Sequence, residues 1–119
     1  MLVFVPTRED VLAIRSIDDA FDLWTSKVTR REVALIRIAA AEGLLEISGH
    51  TRRAANDEFI AIGAVINVVR FGQPASKDVD PHGSREVGIN FEGNIRSGRR
   101  IRVKVSWDRR HYTATVHTI

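Results

Sequence analysis

Cysteine is absent from all 119 residues, which excludes a disulfide framework and any thiolate-bound metal. The same absence fits a reducing compartment. Histidine is scarce. His50, His82, His111 and His117 show neither HxxxH nor HExxH spacing, so no zinc site is expected, nor any other metal or cofactor. Asp78, Asp80 and Gly83 open like a calcium loop, but Ile89 stands where the closing carboxylate belongs. The segment GNIRSGRR (93–100) lacks the Gly-Lys-Ser/Thr ending of a P-loop. The opening apolar run, LVFV, is far too short for a signal-peptide core or a membrane span, so the chain reads as cytoplasmic, with no membrane partner. Internal repeats and low-complexity segments are missing as well.

What is present is unevenly distributed. The net charge of +3 conceals a balance of −2 over residues 1–47 and +5 over residues 48–119. From Arg96 onward there are seven basic residues and one acid, Asp108. A basic patch confined to one part of a domain is the electrostatic footprint of a polyanion partner, although a solvated Arg-rich surface gives the same pattern.

Local signals divide the chain. Met1–Val5 reads as an edge strand ended by Pro6. Thr7 and Asp10 are spaced as a helix start, and Val11, Ile14, Ile17, Phe21 and Trp24 follow at helical spacing. Ser16 and Asp19 repeat the start signal, which allows two short helices. Thr29 and Glu32 form a capping box ahead of VALIRIAAAE, with Gly43 as a left-handed stop. That helix is apolar on most sides, which predicts burial between layers or at a subunit contact, hence a homodimer through the N-terminal helices. Leu44–Ile47 reads as a short strand, followed by a polar helical turn carrying His50, Arg52 and Arg53. Asn56 and Asp57 restart a helix through Phe59, Ile60, Val65, Ile66 and Val69, which Gly72 stops. Residues 73–86 read as a loop, 87–91 as a strand and 92–98 as a turn. The fold class is α+β in a single domain: N-terminal helices, then a helix on a small antiparallel sheet ending in a three-strand meander.

The last two strands carry the sharpest pattern. Ile101, Val103, Val105 and Trp107 alternate with Arg102, Lys104 and Ser106, and alternation resumes from Tyr112 to Ile119 after the turn DRRH. If Trp107 lies opposite Tyr112, Val105 meets Ala114 and Val103 meets Val116, giving an apolar face. The other face then sets Arg102 opposite His117, Lys104 opposite Thr115 and Ser106 opposite Thr113.

EISGHTRR (46–53), VVRFG (68–72), REVGINFEG (85–93), RRIRVKVSW (99–107) and TATVHTI (113–119) together resemble the RelE/ParE-type toxin superfamily. Within it they are most similar to an uncharacterised RelE-like family in which an EIS-x-HxxR motif leads the helix. The resemblance covers about residues 44–119, so 1–43 is a helical N-terminal extension beside a RelE-like α+β core. It implies a small antiparallel sheet packed on helices, often with ribonuclease activity on messenger or transfer RNA. The family usually continues the basic helix with an Arg one turn on; here that position is Ala54.

Metal-free RNA cleavage needs a base for the 2′-hydroxyl proton, an acid for the 5′-oxygen, and cations for the phosphorane. An imidazole titrates near neutrality, which makes His117 a candidate base or acid and His50 its partner, with Thr115 on the strand face of His117. Arg52, Arg53, Arg102 and Lys104 are the candidate phosphate cations. Arg99, Arg100, Arg109 and Arg110 suit sequence-independent backbone attraction or solubility. Tyr112 and Trp107 are candidates for base stacking, but Trp107 shares the face of Val103 and Val105, which marks it as core. The expectation is a small RelE-like ribonuclease toxin module acting on RNA and held in check by an antitoxin or immunity protein. The rival is a non-catalytic nucleic-acid-binding or protein-interaction module, of inhibitor or immunity type, on the same fold.

Overall fold

The structure is a computed structural model. It describes residues 6–14, 20, 25, 27–78 and 88–107, and the backbone of 114–118. The expected strand at 1–5, the second helix start at Ser16 and Asp19, the apolar positions Ile17, Phe21 and Trp24, and the turn with Arg109, Arg110 and Tyr112 lie outside the described residues.

Helix α1 spans Arg8–Leu12 and opens as the sequence indicates. Thr7 N–H donates to Asp10 Oδ2 at 2.8 Å, and Asp10 N–H donates back to Thr7 Oγ1 at 3.4 Å. Helix α2, Arg30–Ala41, repeats the device with Thr29 and Glu32 at 2.8 and 3.3 Å. It closes at Gly43, whose φ of +71° turns the chain so that Leu44 N–H reaches Ala39 O at 2.7 Å. Leu35, Ile36, Ala39 and Ala40 are buried, whereas Val33, Ala34 and Ile38 are half-buried, so only one stripe faces the core.

Helix α3 is Gly49–Asp57, capped by Ser48, whose Oγ accepts from Thr51 N–H at 3.1 Å. Asn56 and Asp57 therefore end a helix instead of starting one. The reversal comes at Phe59, with φ +58°: Ile60 N–H bonds Ala55 O at 2.8 Å and Phe59 N–H bonds Asn56 O at 3.2 Å. These two bonds satisfy the last carbonyls of α3, and Ile60 is buried behind them. Helix α4, Ile62–Phe71, starts afresh from Ala61 with no side-chain cap.

Five strands form one sheet: β1 Glu46–Ile47, β2 Gln73–Asp78, β3 Gly88–Asn94, β4 Arg100–Trp107 and β5 Ala114–Thr118, in the order β1-β5-β4-β3-β2. The expected meander is β3-β4-β5, but two further strands flank it. The 73–86 segment is not all loop: its first six residues pair antiparallel with β3, from Gln73↔Glu92 to Asp78↔Gly88. Poor strand formers are held there by the partner's hydrogen bonds, and the register slips between Pro74 and Ser76, where Pro has no N–H to offer. At the other edge β1 runs parallel to β5.

The β4–β5 register also differs from expectation. Trp107 faces Ala114, Ser106 faces Thr115 and Val105 faces Val116, two residues from the anticipated pairing. A slip of two keeps every residue on its own face, since side chains alternate with period two. A bulge between Lys104 and Val105 then sets Lys104 against Thr118 and leaves His117 without a register partner. Ile101, Val103, Val105 and Trp107 are buried as expected, joined by Ile89 and Phe91 from β3. Helix α4 covers β3 and β4, α2 lies on α4, α1 on α2, and α3 lies against β5. Residues from Val11 to Trp107 thus share one apolar cluster.

Candidate nucleic-acid interface

Parallel pairing of β1 with β5 positions the His-led helix. Glu46 is paired with Thr115 and Ile47 with Val116. The two strands run in the same direction, and right after Ile47 the chain turns into helix α3, which lies against β5. Three residues span at most about 11 Å and neighbouring strands lie about 4.8 Å apart, which confines the backbone of His50 to the region of the Thr115–His117 backbone. His50 is exposed and its side chain makes no hydrogen bond among the described residues, and Arg52 and Arg53 beside it are exposed too. The side chains of Thr115 and His117 lie outside what is described.

Arg102 is not at this corner, and Lys104 reaches its edge through the backbone alone, opposite Thr118. The β4–β5 pairing ends at Lys104↔Thr118, short of Arg102, whose described strand partner is Glu92 on β3. The expected oppositions Arg102–His117 and Lys104–Thr115 are therefore corrected. Both cations reach the other way, toward β2. Arg102 Nη2 donates to Ser76 Oγ at 2.7 Å, and Lys104 Nζ lies 3.2 Å from Asp78 Oδ2. Asn90 Nδ2 joins them, donating to Ser76 Oγ at 3.1 Å and Asp78 Oδ2 at 3.2 Å. Partial desolvation pulls the Asp78 carboxyl upward, but the hydrogen bonds from Asn90 and Lys104 and the charges of Lys104 and Arg102 outweigh it. The net effect holds its pKa below the ordinary aspartate value. Ser76, Asp78 and Asn90 were invisible as site residues while 73–86 read as a loop, because only strand pairing brings them together.

The remaining cations sort by position. Arg99 pairs with Glu58 at 2.8 Å and Arg100 with Glu92 at 3.6 Å, all partly exposed pairs worth at most about 1 kcal/mol. Arg109 and Arg110 lie outside the described residues. Trp107 is buried, which removes it as a stacking platform. Ser106 Oγ, at the register position of Thr115, is buried without a hydrogen-bond partner among the described residues. A groove of about 510 Å³ near Val28, Val33, Ala34, Arg37 and Pro74 contains none of the expected site residues. Among the described residues no three carboxylate or imidazole groups converge as metal ligands, and no helix is long and apolar enough to cross a membrane.

Two exposed aromatics escaped the sequence reading. Phe59 is 98% exposed and Phe71 73%, and Phe59 stands at the turn after α3 instead of inside the helix expected from Asn56 and Asp57. The signal for Phe59 was a polar AND-E run ahead of it, which ends one helix and exposes the residue at the turn. Compared with protein-family models, with curated proteins and with solved structures, the chain matches none.

Proposed function

We propose that the chain is a small RelE-like module that binds RNA and cleaves it by metal-free acid/base chemistry at the His50, Thr115 and His117 corner. The observation that carries this reading is the parallel β1–β5 pairing, which leads the His50 helix away beside the strand of Thr115 and His117. One imidazole would take the 2′-hydroxyl proton as that oxygen attacks phosphorus; the other would protonate the departing 5′-oxygen. Arg52 and Arg53 are the cations available there for the phosphorane, since the Arg102 and Lys104 side chains are engaged by Ser76 and Asp78 on β2. As a toxin, such a module is paired with an antitoxin or immunity protein in the cytoplasm, and the N-terminal helices supply a surface for a homodimer. Growth arrest on expression and RNA cleavage by purified protein in EDTA are the expected results. His50→Ala and His117→Ala should each abolish cleavage while leaving the thermal transition in place; cleavage unchanged in both would refute the assignment.

A second reading, a non-catalytic RNA binder, is favoured by one specific observation. Ser76 and Asp78 tie up the two cations expected beside His117. Salt-sensitive RNA binding without cleavage would select it.

A further inference from the structure

Phe59 holds a conformation that L side chains avoid, and it does so in full solvent. Its φ is +58° and its ring is 98% exposed. The chain contains its own control. Helix α2 ends with the same hydrogen-bond pattern as α3, Leu44 N–H to Ala39 O and Gly43 N–H to Ala40 O, but with glycine at the left-handed position. One helix uses the residue that adopts this conformation freely, and the other uses a bulky aromatic left almost wholly in solvent. Fold stability does not account for that choice; strained, over-determined residues of this kind concentrate at functional positions.

Phe71, at the far end of α4, is a second exposed ring, unstrained and with the Arg70 guanidinium 4.7 Å from its centroid. The chain beside each aromatic is tied to the β3–β4 hairpin. Glu58, next to Phe59, pairs with Arg99 at 2.8 Å. Gln73, two residues past Phe71, is the strand partner of Glu92, which lies 3.6 Å from Arg100. Arg96 is exposed in the turn and forms no ion pair among the described residues.

We propose that Phe59 and Phe71 are stacking platforms for the bases of single-stranded RNA, with Arg96, Arg99 and Arg100 attracting its backbone. A protein-binding aromatic is usually the centre of an apolar patch; the exposed neighbours of Phe59 are Asn56, Asp57, Glu58 and Ala61. A base needs only a π face and a nearby cation, and any base has one. The ligand is single-stranded because paired bases are already stacked on each other and closed to a protruding side chain. This inference rests on the RNA-binding reading and not on the cleavage reading. Nine helical residues separate the start of α3, where His50 stands, from its end near Phe59, a distance of about 13 Å.

The test is fluorescence anisotropy on the full chain with a labelled 2′-O-methyl oligouridine of about a dozen nucleotides, which cannot be cleaved through a 2′-hydroxyl. Binding that weakens as salt rises is expected for the natural chain. Phe59→Gly and Phe71→Ala should each weaken it roughly tenfold, and Phe59→Trp should retain it. Phe59→Gly should melt no lower than the natural chain, which separates lost stacking from lost folding. Asp57→Asn should tighten binding by removing a carboxylate beside the ring. No binding by the natural chain, or equal binding by Phe59→Gly, would overturn the proposal. If natural RNA is not cleaved yet the oligomer shows this pattern, the stacking surface stands and the ribonuclease reading fails. If RNA is cleaved but binding ignores Phe59, the stacking surface alone fails.

Discussion

Lys77 Nζ on β2 lies 2.5 Å from Glu32 Oε2 on α2, and both side chains are fully buried. The other carboxylate oxygen of Glu32 accepts from Thr29 N–H at 2.8 Å and from Thr29 Oγ1 at 2.7 Å. One carboxylate thus completes the helix cap and fastens the N-terminal helix to the β2 end of the sheet. Removing one member of a buried pair leaves the other charge uncompensated in a medium that solvates it poorly. Lys77→Met should therefore lower stability by about 3–5 kcal/mol in urea unfolding. The double variant Lys77→Met/Glu32→Gln keeps a capping acceptor and should come back to within about 2 kcal/mol of the natural chain. Strictly additive losses would refute this coupling.

Gly72 ends α4 for a steric reason. Its φ is −74°, an ordinary value, so a left-handed turn is not what requires glycine. A Cβ there would sit 2.7 Å from Glu92 O on β3 and closer still to Val68 O. Both obstacles are backbone atoms that cannot swing aside. Gly72→Ala should cost about 2 kcal/mol or more, read as a lower urea midpoint with an unchanged m-value.

The two left-handed helix ends predict opposite signs. Gly43→Ala forces a Cβ into φ +71° and should destabilise by about 1 kcal/mol, although nothing lies within 4 Å of that Cβ. Phe59→Gly relieves the same strain and should stabilise by up to about 1 kcal/mol, less the extra chain entropy of glycine. Thermal melts of both variants check the pair.

Asp78 sets an acid limb. Its folded pKa is depressed below the ordinary value of 3.8, so its contribution is fully present above that value. It is lost as pH falls through the lower folded pKa, because the unfolded state then binds more protons. Urea midpoints should fall as pH drops below about 4, and Asp78→Asn should flatten that slope. The carboxylate is about half exposed, so the effect is a modest one. Identical slopes in the two chains would exclude it.

Arginines with different neighbours should respond differently to salt. Arg52 and Arg53 are exposed without described ion pairs, so replacing either with Ala should reduce the salt slope of RNA binding by about one. Arg102 is bonded to Ser76, and Arg102→Ala should leave that slope nearly unchanged while lowering stability. Equal slope losses at all three positions would show that Arg102 also meets the phosphates.

Legibility followed range. Thr7–Asp10, Thr29–Glu32 and the Gly43 turn were readable because each is closed by hydrogen bonds within a few residues, and such bonds depend only on neighbours in the chain. The buried set Ile101, Val103, Val105 and Trp107 was readable because a strand exposes alternate residues to one face. The end of α3 was misread because Asn56 and Asp57 favour either end of a helix, and Phe59 stands where glycine would have marked the stop. Strand β2 was missed because QPASKD has poor strand propensity, and only pairing with β3 supplies its hydrogen bonds.

By itself, then, the sequence determined where the capped helices α1 and α2 begin, which late strands alternate and which of their residues share a face. The tertiary structure decided partners: Val105 with Val116, β1 beside β5, Lys77 against Glu32, Lys104 across from Thr118, and the Arg102 and Lys104 side chains with Ser76 and Asp78. The physical reason is that period-two alternation survives a slip of two unchanged. Face is therefore a local property, whereas register and strand neighbour are set by packing across the whole sheet.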